Sequence, residues 1–328
     1  MKSLHRPLLA LIAAGALALT GCGTTEEPAS GSSSAAPSAS GAPVSVIDAR
    51  GKTVTLDAPA TRLVGTEWNV LENMASLGTM PVGAADVKGY NAWVQAAKLD
   101  DSVKDIGTRG EPSIDTVAAL DADVIVATTD LPEAAVAQLE KLAPVVVLKS
   151  ADASNQIGQA IANLNTVAAL TGTQAKATEI TSGYESALAA GRTALETAGL
   201  KGTRVAFADG WVADGAVSIR PFAKGSLITD INTELGLVTP WELEGDEAYG
   251  LASTDVEGMT KVDAEHFVYI TNSADGDFTD ELKSNAIWNS LAFVKAGNVH
   301  RLEDGIWMFG GPASMTQYVN AIVASLTK

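Results

Sequence analysis

The side chains able to do chemistry in this chain are few, and most are donors or aromatic faces rather than nucleophiles. Its only cysteine is Cys22. Past that residue there are two histidines: His266 opens an apolar strand-like run, and His300 sits in a short strand after Gly297-Asn298. Neither lies in a sequence cluster with metal-ligand spacing, so no direct transition-metal site is expected. No Gly-x-Ser-x-Gly elbow or phosphate-binding glycine loop occurs. Carboxylates are plentiful, yet none is spaced to specify acid–base work. Binding chemistry is what is left. Arg109 follows a strand-like run and Gly107, in a loop just before a helix start, where binding groups concentrate. Its planar guanidinium is able to give parallel hydrogen bonds to paired oxygens, although residue types alone favour a surface pair with Glu111. Arg220, before Pro221-Phe222, is a second candidate donor for which a surface role is equally open. Tyr90 and Trp93 are three apart and share a helix face, the usual mark of core. Tyr249 lies in the polar stretch 246–250, where an aromatic has no obvious core reason. Trp307 precedes Gly310-Gly311-Pro312, a turn before the last helix.

Cys22 asks for a different chemistry. It ends Leu19-Thr20-Gly21-Cys22, after an apolar run over residues 8–19 and a positive start at Lys2 and Arg6. This pattern predicts a signal peptide over residues 1–21, too short for a permanent span. Small residues before a terminal cysteine resemble the bacterial lipobox, in which the thiol is lipidated (palmitate or a similar acyl chain) and becomes the first residue. An ordinary secreted protein with a free thiol is the alternative. Residues 22–43 are the lipidated cysteine and a linker rich in Gly, Ser, Ala, Pro and Thr, unable to bury enough surface to order itself. With Cys22 lipidated no disulfide is possible, so packing alone must hold the fold. The formal charge is −17, and the signal takes two positive charges with it. Such acidity argues against nucleic acid and against adsorption on anionic lipid.

The elements that must position these residues alternate in type. Residues 44–47 and 53–56 read as a hairpin around Arg50-Gly51. Strands are expected at 62–65, 81–84, 103–106, 123–127 and 145–148, and helices after Trp68, from Pro112 and over 132–141. That alternation predicts an α/β lobe with a mostly parallel sheet over residues 44–151. Apolar residues at 157, 161, 164 and 168 then mark one helix over 154–170, ended by Gly172. It would be roughly 25 Å long, enough to cross between two lobes, so residues 152–172 are read as the bridge. A helix over 174–198 follows, and α/β alternation resumes within a C-terminal lobe, residues 173–328.

Several stretches carry a resemblance. They are Arg62-Leu63-Val64 with Glu67-Trp68, Met80-Pro81-Val82-Gly83, Tyr90-Asn91-Ala92-Trp93-Val94, and Asp105-Ile106-Gly107-Thr108-Arg109 with Glu111-Pro112-Ser113-Ile114-Asp115. The second half adds Ala286-Ile287-Trp288-Asn289, Phe293-Val294-Lys295-Ala296-Gly297 and Ile306-Trp307-Met308-Phe309-Gly310-Gly311. In this order the chain resembles the binding proteins of ABC transporters that import iron–siderophores and vitamin B12, most nearly the ferric hydroxamate binders. The resemblance implies two Rossmann-like lobes joined by a long rigid α-helix, with ligand in the cleft between them. It implies a monomeric, lipid-anchored receptor on the outer face of the cell membrane, without cofactor or catalytic residue. Its ligand would be an iron(III)–siderophore, probed by Arg109, Trp93, Tyr90, Tyr249, Trp307 and Arg220 and delivered to a permease. Tyr249 falls where hydroxamate binders carry tryptophan. Asp115 and Asp255 fall where family members carry permease-docking glutamates; helix capping is their other reading. A haem or corrinoid binder, or an enzyme on the same scaffold, are the alternatives. The scarcity of arginine, eight in all, leans toward a neutral or cationic ligand.

Overall fold

A computed structural model describes residues 41–328. Cys22, the expected signal peptide and most of the expected linker lie outside the described residues. Among those described, no helix is long and apolar enough to cross a membrane.

The chain opens on a hairpin, β1 (Val44–Ile47) with β2 (Thr53–Leu56). Then β3 (Leu63–Gly65), α1 (Trp68–Ser76), β4 (Gly83–Ala84), α2 (Val87–Trp93), β5 (Lys104–Asp105), α3 (Ile114–Ala118), β6 (Val124–Thr128), α4 (Glu133–Leu139) and β7 (Val145–Leu148) form the N-terminal lobe. Its sheet is wholly parallel, in the order β5-β4-β3-β6-β7. Strand β6 shows why it reads as an unbroken apolar run. Val124 and Val126 pack on one face of the sheet with Leu63, Val146 and Leu148, while Ile125 and Ala127 pack on the other with Val64, Val145 and Val147. A parallel sheet covered on both faces needs apolar residues at every position.

Two helices follow, α5 (Gln156–Thr171) and α6 (Gln174–Thr197), separated by Gly172 in the left-handed region. The C-terminal lobe holds β8 (Val205–Ala213), β9 (Ala216–Pro221), α7 (Leu227–Glu234), β10 (His266–Tyr269), α8 (Phe278–Leu282), α9 (Ala292–Lys295), β11 (Val299–Arg301) and α10 (Pro312–Leu326). Its sheet runs β11-β10-β8-β9, with only β9 antiparallel.

The connection between lobes differs from the expected single helix. In α5, Ile157 and Ala160 pack on the C-terminal core, while Leu164, Val167, Ala168 and Leu170 pack on the N-terminal one. In α6 the order reverses: Ala177 and Ile180 touch the N-terminal core, Tyr184, Leu188 and Leu195 the C-terminal one. The chain therefore crosses to the second lobe, returns along α5 and crosses again along α6. At its start α5 is anchored by Gln156, whose side-chain amide donates to Gly225 O (2.7 Å) and Ala248 O (2.8 Å).

A buried polar junction also ties the lobes. Glu72, on α1, is fully buried and accepts from the Ser314 backbone N–H and hydroxyl, both at 2.8 Å, in the first turn of α10. Gly310 and Gly311 make this approach possible. A Cβ at Gly310 would lie 2.2 Å from Glu72 Oε2, and one at Gly311 2.4 Å from Asn73 Oδ1. The paired glycines, read from sequence as a turn, form the seat of a carboxylate from the opposite lobe. Burial pushes the Glu72 carboxyl up to about 7, against the hydrogen bonds from Ser314 and Gly311.

Candidate ligand cleft

The N-terminal wall of the cleft is built from loops at the carboxyl ends of β3, β5 and β6, the edge at which open α/β sheets present their ligand sites. After β3, Glu67 caps α1 by accepting from the Trp68 backbone N–H at 2.9 Å. After β5, Gly107 takes a φ of +98° and its N–H donates to Asp105 Oδ1 at 2.8 Å. That turn carries Arg109 back over α1. Its guanidinium lies 4.2 Å from the centre of the Trp68 ring and donates from Nη1 to Glu67 Oε1 at 2.9 Å. The partner of Arg109 is thus Glu67, not Glu111. After β6 comes Asp130.

The C-terminal wall comes from the β8–β9 hairpin and two loops. Asp209 and Arg220 face each other in register across the hairpin. Arg220 Nε donates to Asp209 Oδ1 at 2.8 Å and Nη2 pairs with Oδ2, a two-pronged bond. Burial pushes the Asp209 carboxyl up against the pull of Arg220. Asp246 shapes the next loop, accepting from the backbone N–H groups of Ala248, Tyr249 and Leu251. Gly250, at φ +66°, lets that loop lie on Gly225, whose carbonyl carbon a Cβ would approach to 2.3 Å. So held, the Tyr249 hydroxyl donates across the cleft to Asp130 Oδ2. Burial and then Asp130 push the Tyr249 phenol up. Between Asp304 and α10, Trp307 and Phe309 form the floor. Trp307 meets Trp68 at 4.7 Å and Phe309 at 5.1 Å, edge to face, and Phe309 meets Tyr249 at 5.6 Å.

These walls enclose a cavity of about 260 Å³ lined by Glu67, Asn69, Arg109, Arg220, Tyr249 and Trp307, with Asp130, Leu251 and Phe309 completing it. Four residues singled out from sequence, Arg109, Arg220, Tyr249 and Trp307, therefore meet in one place. Two do not line it. Tyr90 is fully buried, its hydroxyl donating to Ala97 O and its ring edge-on to Trp68 at 6.4 Å. Trp93 stands behind Trp307 at 6.2 Å, bridging both cores. The reason is the helix face: α2 turns Tyr90 inward, where an aromatic of its size has somewhere to pack. Asp115 and Asp255 are exposed away from this cavity's lining; Asp255 caps a short 3₁₀ turn by accepting from Gly258 N–H at 2.9 Å.

Sequence reasoning passed over Asp130, Glu67 and Phe309 as site residues, and Asp209 as the partner of Arg220. For Asp209 a signal existed. Asp214-Gly215 between two apolar runs is a tight-hairpin sequence, both residues have positive φ, and counting back in register sets Asp209 opposite Arg220. Elsewhere, His266 Nδ1 and His300 Nε2 lie 2.9 Å apart on adjacent strands β10 and β11. Burial lowers the pKa of both. Among the described residues no group of three or more His, Cys, Asp or Glu comes together as a metal site.

The cleft offers two guanidinium donors, one from each lobe, over aromatic shelves. That composition suits a ligand with acceptor oxygens on a partly apolar body. Residues 63–304 match the periplasmic binding protein family. The iron(3+)-hydroxamate-binding protein FhuD of Escherichia coli (strain K12) is 26% identical over 267 residues, covering 80% of this chain and 85% of that one. The probable siderophore-binding lipoprotein YfiY of Bacillus subtilis (strain 168) is 24% identical over 335 residues, covering 96% of this chain and 95% of its own. Among solved structures, the Fe3+–Desferal-bound siderophore-binding protein FhuD from Vibrio cholerae superposes with a TM-score of 0.73 at 28% identity, covering 81% of this chain and 98% of that one.

Proposed function

This chain belongs to the periplasmic binding protein family, and we propose that it is the receptor of an ABC importer for a ferric siderophore of the hydroxamate class. The observation that carries the reading is Arg109 and Arg220 lining one aromatic-floored cavity from opposite lobes. A ferric tris-hydroxamate centre is compact and uncharged, with hydroxamate oxygens around the metal. Each guanidinium keeps donors beyond those held by its own carboxylate, and charge-assisted hydrogen bonds from both lobes would grip those oxygens. Trp307, Phe309 and Tyr249 would cover the apolar remainder. The iron is cargo, held by the siderophore, and no protein atom needs to touch it. No catalytic step is assigned to the chain.

Lipidation at Cys22, monomeric action at the outer face of the membrane and docking to the permease through Asp115 and Asp255 belong to the same proposal. Both aspartates are exposed, one on each lobe, as docking would need. The test is titration of intrinsic tryptophan fluorescence with ferric and iron-free siderophores, haem and a corrinoid. Trp307 lines the cavity and Trp68 packs directly behind it, so saturable quenching by ferric hydroxamates and not by the iron-free forms is expected. Quenching by haem or a corrinoid alone would overturn the assignment.

A further inference from the structure

Beside the aromatic floor lies a second chamber, also about 260 Å³, lined by Thr66, Glu67, Arg109, Thr128 and Asp130 with Leu131 as its apolar edge. It is continuous with the ligand cavity through Glu67, Arg109 and Asp130, which line both. Its character is different. It has no aromatic wall, and it sets two carboxylates against one guanidinium. That guanidinium is already hydrogen-bonded to Glu67. Asp130 has no lysine or arginine partner among the described residues. Among those residues its one side-chain partner is the neutral Tyr249 hydroxyl, on Oδ2. On the opposite wall Arg220 is likewise neutralised by Asp209.

A second observation points the same way. Thr66 Oγ1 is buried, the residue being 1% exposed, and it has no hydrogen-bond partner among the described residues. Buried hydroxyls are almost always bonded to something. Thr66 lines the chamber, whose other polar groups are mostly acceptors. What fits is a donor that carries positive charge.

We propose that this chamber seats a cationic arm of the ligand, so that the receptor prefers a ferric hydroxamate bearing a pendant ammonium over neutral or anionic ones. The proposal rests on the hydroxamate reading above. An ammonium has three donors and no acceptor, matching the carboxylates of Asp130 and Glu67. An anionic arm would meet two carboxylates and one guanidinium already engaged, and like-charge contact across an interface is strongly disfavoured. Trianionic catecholate complexes are rejected on the same ground.

The test uses the full chain in detergent and three ferric trihydroxamates with one iron centre. They differ only in a terminal group: a free amine, its N-acetyl form and its N-succinyl form. Fluorescence titration should give the amine form about fivefold tighter binding than the acetyl form, with the succinyl form weakest. Added salt should narrow the spread, and Asp130→Asn should bring the amine-to-acetyl ratio close to one. Equal affinities for the three, or a ratio that neither salt nor Asp130→Asn changes, overturns the chamber's role while leaving the hydroxamate reading intact. Failure of all three to bind, with a catecholate or citrate complex binding instead, overturns that reading and this proposal together.

Discussion

Arg109 is held on three sides, by Glu67, by the Trp68 face and more distantly by Trp307 at 5.7 Å. A long side chain so fixed loses little further freedom when ligand arrives, which favours affinity. Arg109→Ala should therefore weaken ferric hydroxamate binding by about 1.5–3 kcal/mol. Arg109→Lys should recover only part, since a point charge lacks the planar fork. Titration reads both, and an unchanged Kd for the alanine variant would return Arg109 to a surface pair. Glu72 makes a prediction of another kind. Its carboxyl titrates at about 7 in the fold against an ordinary 4.5, so the folded state holds the proton more tightly. Its contribution to stability is complete below about 4.5 and is lost as pH rises to about 7. The difference is on the order of 3 kcal/mol. Urea melts across that window should show stability falling toward neutral pH, and Glu72→Gln should flatten the slope. A slope identical in the variant would assign it to other groups.

At the scale of elements, the junction of α1 with α10 depends on an absent side chain. Gly310→Ala would drive a Cβ to within 2.5 Å of Ser314 Cβ as well as into Glu72. Neither helix is free to retreat, and overpacking of this kind costs about 1–3 kcal/mol. The expected signature is a lower urea midpoint with an unchanged m-value; an unchanged midpoint would mean the helices part easily. This junction also marks where sequence stops being legible. Strands β1, β2 and β7 have the bounds their composition predicts, because alternation and buried apolar runs are local signals. Arg109 was singled out because a glycine turn and a helix start bracket it and because the family resemblance falls there; its position alone favoured a surface pair. Glu72 was not. On α1 it sits among Leu71, Asn73 and Met74 like any helix-favouring glutamate, and only a contact 242 residues away gives it a role. Asp130 and Phe309 are the same case, since neither has a neighbour in sequence that announces a cleft. Likewise α6 shows a continuous apolar spacing but no sign that its two ends serve different lobes.

Taken whole, the molecule has its lobes joined by two helices of opposite sense, by the Glu72–Ser314 junction, and by hydrogen bonds from Asn272 Nδ2 to Ala92 O and from Gln95 N–H to Gly305 O, both at 3.0 Å. Bending a helix requires a broken backbone ladder, and here two would have to bend together. Scattering profiles with and without ligand should differ by only a few degrees of lobe rotation; a swing of tens of degrees would contradict the paired-helix frame. A receptor this stiff would present Asp115 and Asp255 at a nearly fixed spacing. Asp115→Ala with Asp255→Ala should then abolish uptake while ligand affinity stays the same, and normal uptake would remove them from docking. The return path of α5 has a further consequence, for the order in which the protein is made. Its first residue, Gln156, is anchored by carbonyls at 225 and 248, which emerge from the ribosome long after it. The five-stranded sheet has all its strands by Leu148, and Leu164 to Leu170 of α5 pack on that lobe's core, but the first turn of the helix has no footing until most of the second lobe exists. A fragment ending at Gly172 should therefore carry an α5 frayed at its start, and the two lobes, though each has its own sheet, should not be separable by cutting the chain between them.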